Sequence, residues 1–390
     1  MKFNKWTLGL AAVGVVSLGS AARADEAKMS QLQTALSNTT VSGYVDVAAQ
    51  YNTGNQTPSS QVPVGSGQTQ AGGKAKIDAF SLNTVDIAID KPEDDTPWAS
   101  GYHIELNYGN DAIATGYGNI RQAYVSLRTP VGNGIDWKAG VMDDIIGYEG
   151  NTDGANPNYT RSYGYAIEPT SLVGLVGTYK VCDMLTVQGG VANATSGNGN
   201  LSNKSFVGAV AFTAPDSWGF LKGATANGGA VLNFDTGGQC NYYAGVTIPT
   251  PLSILKVGAS FDLASQANEN PGVVIVVPPP VGANPHNDSG WVGAVYANVQ
   301  ATDKLSFNGR AEYFDLEGGT FLSTAYALGN SDNRGEEVTL TAQYNLWANV
   351  ISRAEFRWDH VDSGEAFAGP AAAPATADSF LIAVNLIYTF

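Results

Sequence analysis

The sequence predicts an all-β fold, a transmembrane antiparallel up-and-down β-barrel of about 16 strands with short turns at one end and long loops at the other. Three observations predict it. Apolar and polar residues alternate with period two in one segment after another, the connections between segments are alternately short and long, and aromatic residues collect at segment ends.

The elements follow in chain order. Lys2 and Lys5 precede an apolar run from Trp6 to Leu18, and Ala22-Arg23-Ala24 supplies a small-x-small cleavage pattern, so residues 1–24 read as a signal peptide and the mature chain starts at Asp25. The apolar run is too short for a membrane-spanning helix, which needs about 20 residues. Residues 25–39 read as a periplasmic linker or a short helix, because Met29, Leu32, Ala35 and Leu36 recur at helical spacing. The barrel then occupies 40–390. In its first segment Val41, Val45, Val47 and Tyr51 alternate with Ser42, Asp46 and Gln50, so one face meets lipid and the other water. Trp98, Tyr102, Ile104, Leu106 and Tyr108 alternate in the same way with Gly101, His103, Glu105 and Asn107. The final segment places Phe380, Ile382, Val384, Leu386, Tyr388 and Phe390 on one face.

The same reading puts strands near 40–51, 80–90, 98–108, 120–129, 135–145, 170–181, 185–192, 205–214, 222–235, 239–248, 252–263, 290–300, 304–316, 336–346, 348–361 and 379–390. Connections 91–97, 130–134, 182–184, 215–221, 249–251, 301–303 and 347 are short, several contain Pro, and they read as periplasmic turns. Stretches 52–79, 146–169, 264–289, 317–335 and 362–378 are rich in Gly, Asn, Ser, Thr and Pro and read as outer loops. Trp98, Trp137, Trp218, Trp347, Tyr388 and Phe390 fall near turn ends, and Tyr51, Tyr108, Trp291 and Trp358 near loop ends, as two interfacial belts require.

Composition agrees. Apart from the signal, no apolar stretch approaches 18 residues, which argues against helical membrane spans. The chain has 46 Gly, 18 Tyr, 14 Phe and 7 Trp but only 14% charged residues, a balance expected of walls that are apolar outside and polar inside. Removing Lys2, Lys5 and Arg23 leaves 17 basic against 35 acidic residues, so nucleic acid is not an expected partner. Cys182 and Cys240 are too few for a disulfide scaffold and are expected at opposite ends of the wall, as free thiols.

Ile120-Arg121-Gln122-Ala123-Tyr124-Val125, followed by Thr129-Pro130-Val131-Gly132-Asn133-Gly134, Lys138-Ala139-Gly140, Ile146-Gly147-Tyr148-Glu149 and Asn158-Tyr159-Thr160-Arg161-Ser162-Tyr163, resembles the β-barrel porins of the OmpL-like outer-membrane type. The resemblance is sharpest over 120–192 and extends loosely from 40 to 390. It implies a barrel and a channel in the bacterial outer membrane, with outer-membrane lipid around it. Phe390, closing an apolar-alternating last strand, resembles the C-terminal signal read by the barrel assembly machinery. Analogy with other 16-stranded porins suggests a homotrimer.

No catalytic constellation emerges. His103, His286 and His360 are scattered without metal-ligand spacing, no nucleophile elbow occurs, and the Gly-Gly pairs lack a phosphate-loop setting, so neither an enzyme nor a cofactor or metal is expected. The informative residues are those that strand parity turns inward. Glu105, Arg128, Lys138, Arg310, Glu312, Arg353, Glu355, Arg357 and Asp359 are the expected pore-lining set, since charges facing lipid would cost about 2–4 kcal/mol each at the midplane. Asp143, Asp144, Glu149, Asp153, Arg161 and Glu168, in the third outer loop and its approach, are candidates for a constriction that faces the wall arginines across a passage and favours cations. The expected function is passive diffusion of small hydrophilic solutes or ions. The alternatives are a solute-specific channel, or a structural or adhesive barrel presenting its loops.

Overall fold

A two-faced alternation is stable in lipid only when every strand edge is paired, and closing the sheet on itself achieves that. The computed structural model describes residues 38–53, 79–112, 115–193, 204–233, 239–266, 288–316, 333–362 and 377–390. The expected signal peptide, and the linker up to residue 37, lie outside the described residues. The strands are β1 Thr40–Thr53, β2 Ala79–Lys91, β3 Ser100–Tyr108, β4 Ile120–Thr129, β5 Ile135–Asp143, β6 Ser171–Cys182, β7 Leu185–Asn193, β8 Lys204–Thr213, β9 Thr225–Asn233, β10 Gln239–Pro249, β11 Leu255–Gln266, β12 Asp288–Gln300, β13 Leu305–Leu316, β14 Asn333–Trp347, β15 Val350–Val361 and β16 Asp378–Thr389. Each pairs antiparallel with its neighbours, and β16 returns to β1 to close the barrel. Gly43 and Phe390 seal that seam by exchanging both backbone hydrogen bonds, at 2.9 and 3.2 Å.

Period two sorts the side chains as expected. Phe380, Ile382, Val384, Leu386 and Tyr388 are exposed to the outside, and Leu381, Ala383, Asn385 and Ile387 are buried within. Several boundaries differ from expectation for local reasons. Trp98 stands at φ +66 in the left-handed region, so β3 starts two residues later than expected. A 3₁₀ turn over Asp216–Leu221 takes up the Pro215 connection and delays β9 to Thr225.

The interior is not uniformly polar. One sector, Met142, Leu172, Val176, Ala192, Val207, Val231 and Tyr243 on β5 to β10, is an apolar cluster inside the barrel. The opposite sector, on β13 to β15, carries Arg310, Glu312, Glu337, Arg353, Glu355, Arg357 and Asp359. This division positions the long connection between β5 and β6.

Candidate functional site

That connection, residues 144–170, runs inside the barrel and touches the wall almost all the way round; it is called the inward loop below. Its apolar start goes to the apolar sector. Ile146 joins the cluster on β5 to β10 and packs over Gly229, where even a Cβ would come within 2.7 Å. Tyr148 stacks on Tyr296 of β12 with ring centres 4.0 Å apart, and its hydroxyl pairs with Thr247 at 3.0 Å. The chain then crosses to β1, where the Asp153 N–H donates to the Tyr44 hydroxyl, and turns through a 3₁₀ segment, Asp153–Ala155. It returns along β15 and β13 into a single helical turn, α1, Tyr163–Ile167, whose N-cap Ser162 hydroxyl accepts from the Tyr165 N–H at 2.9 Å. Tyr163 and Ile167 pack with Ala264, Val292, Phe314, Leu316 and Val361 at the loop end of the wall.

The charged sector holds the loop largely by its main chain. Arg353 donates to the carbonyls of Asp153, Gly154 and Asn156 at 3.0, 3.3 and 2.7 Å, and Arg357 donates to that of Arg161 at 2.7 Å. Glu355 accepts from the N–H groups of Tyr159 and Thr160, and Glu312 from those of Tyr163 and Gly164. Loop side chains are reached too: Arg357 lies over the Tyr163 ring at 5.3 Å, and Arg310 makes a direct ion pair. It pairs with Glu149 at 2.7 Å and with Glu337 at 3.1 Å, all at 0% side-chain exposure. These charge-assisted bonds are shielded from water, so they fix the loop's position more firmly than exposed pairs would.

The candidate residues therefore divide. Arg310, Glu312, Arg353, Glu355, Arg357 and Asp359 point inward as parity required but are buried under the loop. Glu149 meets Arg310 in direct contact, and Asp153 pairs with Arg161 at 2.8 Å within the loop. The expected field between loop acids and wall arginines across an open passage is thus replaced, at Glu149, by a packed ion pair. Asp144 caps the Ile145 N–H at 2.7 Å, and Glu168 lies at the loop's return beside Asp262. Glu105 joins a second cluster, on β2 to β5. Lys138 stands over the Tyr124 ring at 4.6 Å, and Arg128 pairs with Asp136 at 2.6 Å near the turn end. In the adjoining turn, burial first and Asp136 second push the Glu93 carboxyl up to about 7.

Sequence reading missed the centre of that second cluster. Arg121 is 2% exposed and binds Asp143 at 2.7 Å, Glu105 at 2.9 Å and the loop's Thr152 hydroxyl at 3.0 Å. A bulge between Glu105 and Leu106 shifts the β3–β4 register, so Arg121 and its neighbour Gln122 are both buried, which parity alone forbids. The adjacent polar pair at the start of β4 was the available signal. His103, expected among the polar positions of its strand, lies between Asp90 at 3.0 Å and Glu105 at 3.4 Å.

Comparisons with known proteins agree with this architecture. Among solved structures the chain is similar to OmpT of Vibrio cholerae, with 13% identity, a TM-score of 0.57, and 90% of this chain and 97% of that chain covered. It is similar to an anion-selective porin from Comamonas acidovorans, with 11% identity, a TM-score of 0.56, and 90% and 99% covered. It also resembles Salmonella typhi OmpF in complex with daunomycin, with 14% identity, a TM-score of 0.56, and 90% and 97% covered. At these identities the likeness is one of fold. No curated protein matches the sequence. The family model described as "Putative beta-barrel porin-2, OmpL-like" matches residues 38–390, which takes in every strand of the barrel and the loop inside it. The chain belongs to that family, and is an outer-membrane porin channel.

Proposed function

We propose that the chain is a loop-constricted, weakly selective diffusion porin, in which small hydrophilic solutes and ions pass between the inward loop and the β2–β5 side of the wall. The observation that carries this reading is an asymmetry of exposure. The inward charged groups on β13 to β15 are sealed, whereas the side chains of Asp90, Asp136 and Asp143 keep 37%, 39% and 33% of their surface, and Lys138 is exposed. The candidate constriction is accordingly at Asp143 and Lys138 on the wall, bounded on the loop side by the closed contact of Arg121 with Thr152.

Selectivity follows from the pairing. On this side Asp86, Asp90, Glu105, Asp136 and Asp143 share His103, Arg121 and Arg128, and Lys138 stands beside them, so acids and bases nearly balance. The passage therefore carries little net field. Reversal potentials across planar bilayers under a salt gradient should be small for the wild type. Lys138→Glu should shift them toward cations and Asp143→Asn toward anions. A strongly cation-selective wild type, or two variants that leave the potential unchanged, would overturn this path.

The same reading includes export by residues 1–24, recognition of Phe390 by the assembly machinery, and a homotrimer in outer-membrane lipid. Support comes from the exposed ring of Phe390 at the closing seam and from a trimer form solved for Vibrio cholerae OmpT. Chemical crosslinking of the purified protein in detergent should give a three-subunit band, and a monomer alone would remove that part of the proposal.

A further inference from the structure

The two stretches of the inward loop are held differently. Between residues 149 and 161 both loop acids have a base, Glu149 with Arg310 and Asp153 with Arg161. At the return, the Ile167 carbonyl accepts from the Gln239 and Asn241 side chains at 2.9 and 2.6 Å, and the next residue, Glu168, puts its carboxyl in hydrogen-bond contact with that of Asp262 on β11. Asp144, where the loop leaves β5, adds its charge to the same place. The backbone closes tightly over the pair. A Cβ on Gly147 would lie 2.5 Å from Glu168 Oε2, and one on Gly164 would lie 2.5 Å from Asp262 Oδ2.

Glu168 Oε1, Asp262 Oδ1 and Asp144 Oδ2 are buried with no hydrogen-bond partner. The other titratable groups facing them are Glu149 from the loop and Tyr243 from β10, with Tyr148 behind Tyr243, none of them a base. Arg310 and Arg161 are committed to Glu149 and Asp153. Among the described residues no three His, Cys, Asp or Glu side chains converge at metal-ligand spacing. Two carboxylates in contact, away from water and without a cation, cannot both stay ionised, whereas one shared proton turns repulsion into a hydrogen bond.

We propose that Glu168 and Asp262 form a proton-operated latch, which holds the return of the inward loop on β11 while the pair carries a proton and releases it when the proton is lost. Burial first, and the neighbouring Asp262 second, push the Glu168 carboxyl well above the usual carboxylate range, and burial does the same to Asp144. The sign is fixed by linkage. The docked loop binds the proton more tightly than the released loop, so docking is favoured at lower pH and lost as pH rises through the docked value. The channel consequence rests on the porin reading, and the protonation does not.

Two measurements on the full refolded protein test the latch. Infrared spectra at neutral pH should show buried carboxylic-acid C=O absorption that is diminished in Glu168→Gln, where the amide leaves Asp262 ionised. Bilayer conductance should step upward as pH is raised in the wild type, and the step should vanish in Glu168→Gln, whose amide still donates to Asp262. Heat-modified gel mobility identifies variants that retain the barrel. Absence of the acid band in the wild type, or a pH step that persists in Glu168→Gln, would overturn the proposal. A silent channel with the acid band present would instead count against the porin reading alone.

Discussion

Arg310 sits at full burial among three carboxylates, Glu149, Glu312 and Glu337, so its removal leaves buried carboxyl groups without their base. Arg310→Ala should therefore cost about 3–5 kcal/mol, the range for breaking a buried pair and leaving charge behind. It should appear as a lower temperature for the folded-to-unfolded gel-mobility shift. Arg353 differs in kind, because its bonds to the loop end on carbonyl oxygens. Arg353→Ala should free the loop's tip and make single-channel current larger and noisier, while Asn158→Ala, which removes one bond to Thr341, should change current far less. Strand parity was enough to turn both arginines inward. It could not reveal that they bind main-chain atoms, since a carbonyl partner leaves no mark on residue identity. Arg121 escaped for another reason, a one-residue bulge that parity does not register.

At the level of the strand, period two is the most legible signal in the chain, because a slip by one residue exposes polar groups to lipid along the whole strand. The outward position of Ile104 on β3, 40% exposed, tests this directly. Ile104→Arg should destabilise the barrel by about 2–4 kcal/mol if the residue lies at the midplane. Urea titration of folding into lipid vesicles checks it, and an unchanged midpoint would refute the assigned face. Asn107 is an inward position of the same strand. It is 2% exposed and bonded to Asp86, so substitution there must displace a packed cluster. The turns were legible from Pro and Gly, but the inward loop's route was not. Its path depends on an apolar sector spread over six strands, each contributing one or two residues that look unremarkable alone.

For the whole molecule, strand direction places Cys182 at the turn end of β6 and Cys240 at the loop end of β10. Both are free, and a disulfide, which needs Cα atoms within about 7 Å, cannot join opposite ends of the wall. Denatured, unreduced protein should take up two equivalents of a thiol reagent, and a membrane-impermeant reagent added to the turn side should reach the exposed Cys182 first. The seam between β1 and β16 has a further consequence, one of timing. Asp46 pairs with Asn385 across 339 positions of sequence, and the last residue bonds to Gly43. Until the final strand arrives, β1 offers an unpaired edge that nothing earlier in the chain can close. Contacts this distant are slow to form, and open edges invite strand pairing between molecules. The interval between synthesis and ring closure is then the vulnerable period in the life of the protein, and deleting β16 should yield aggregates rather than a smaller channel.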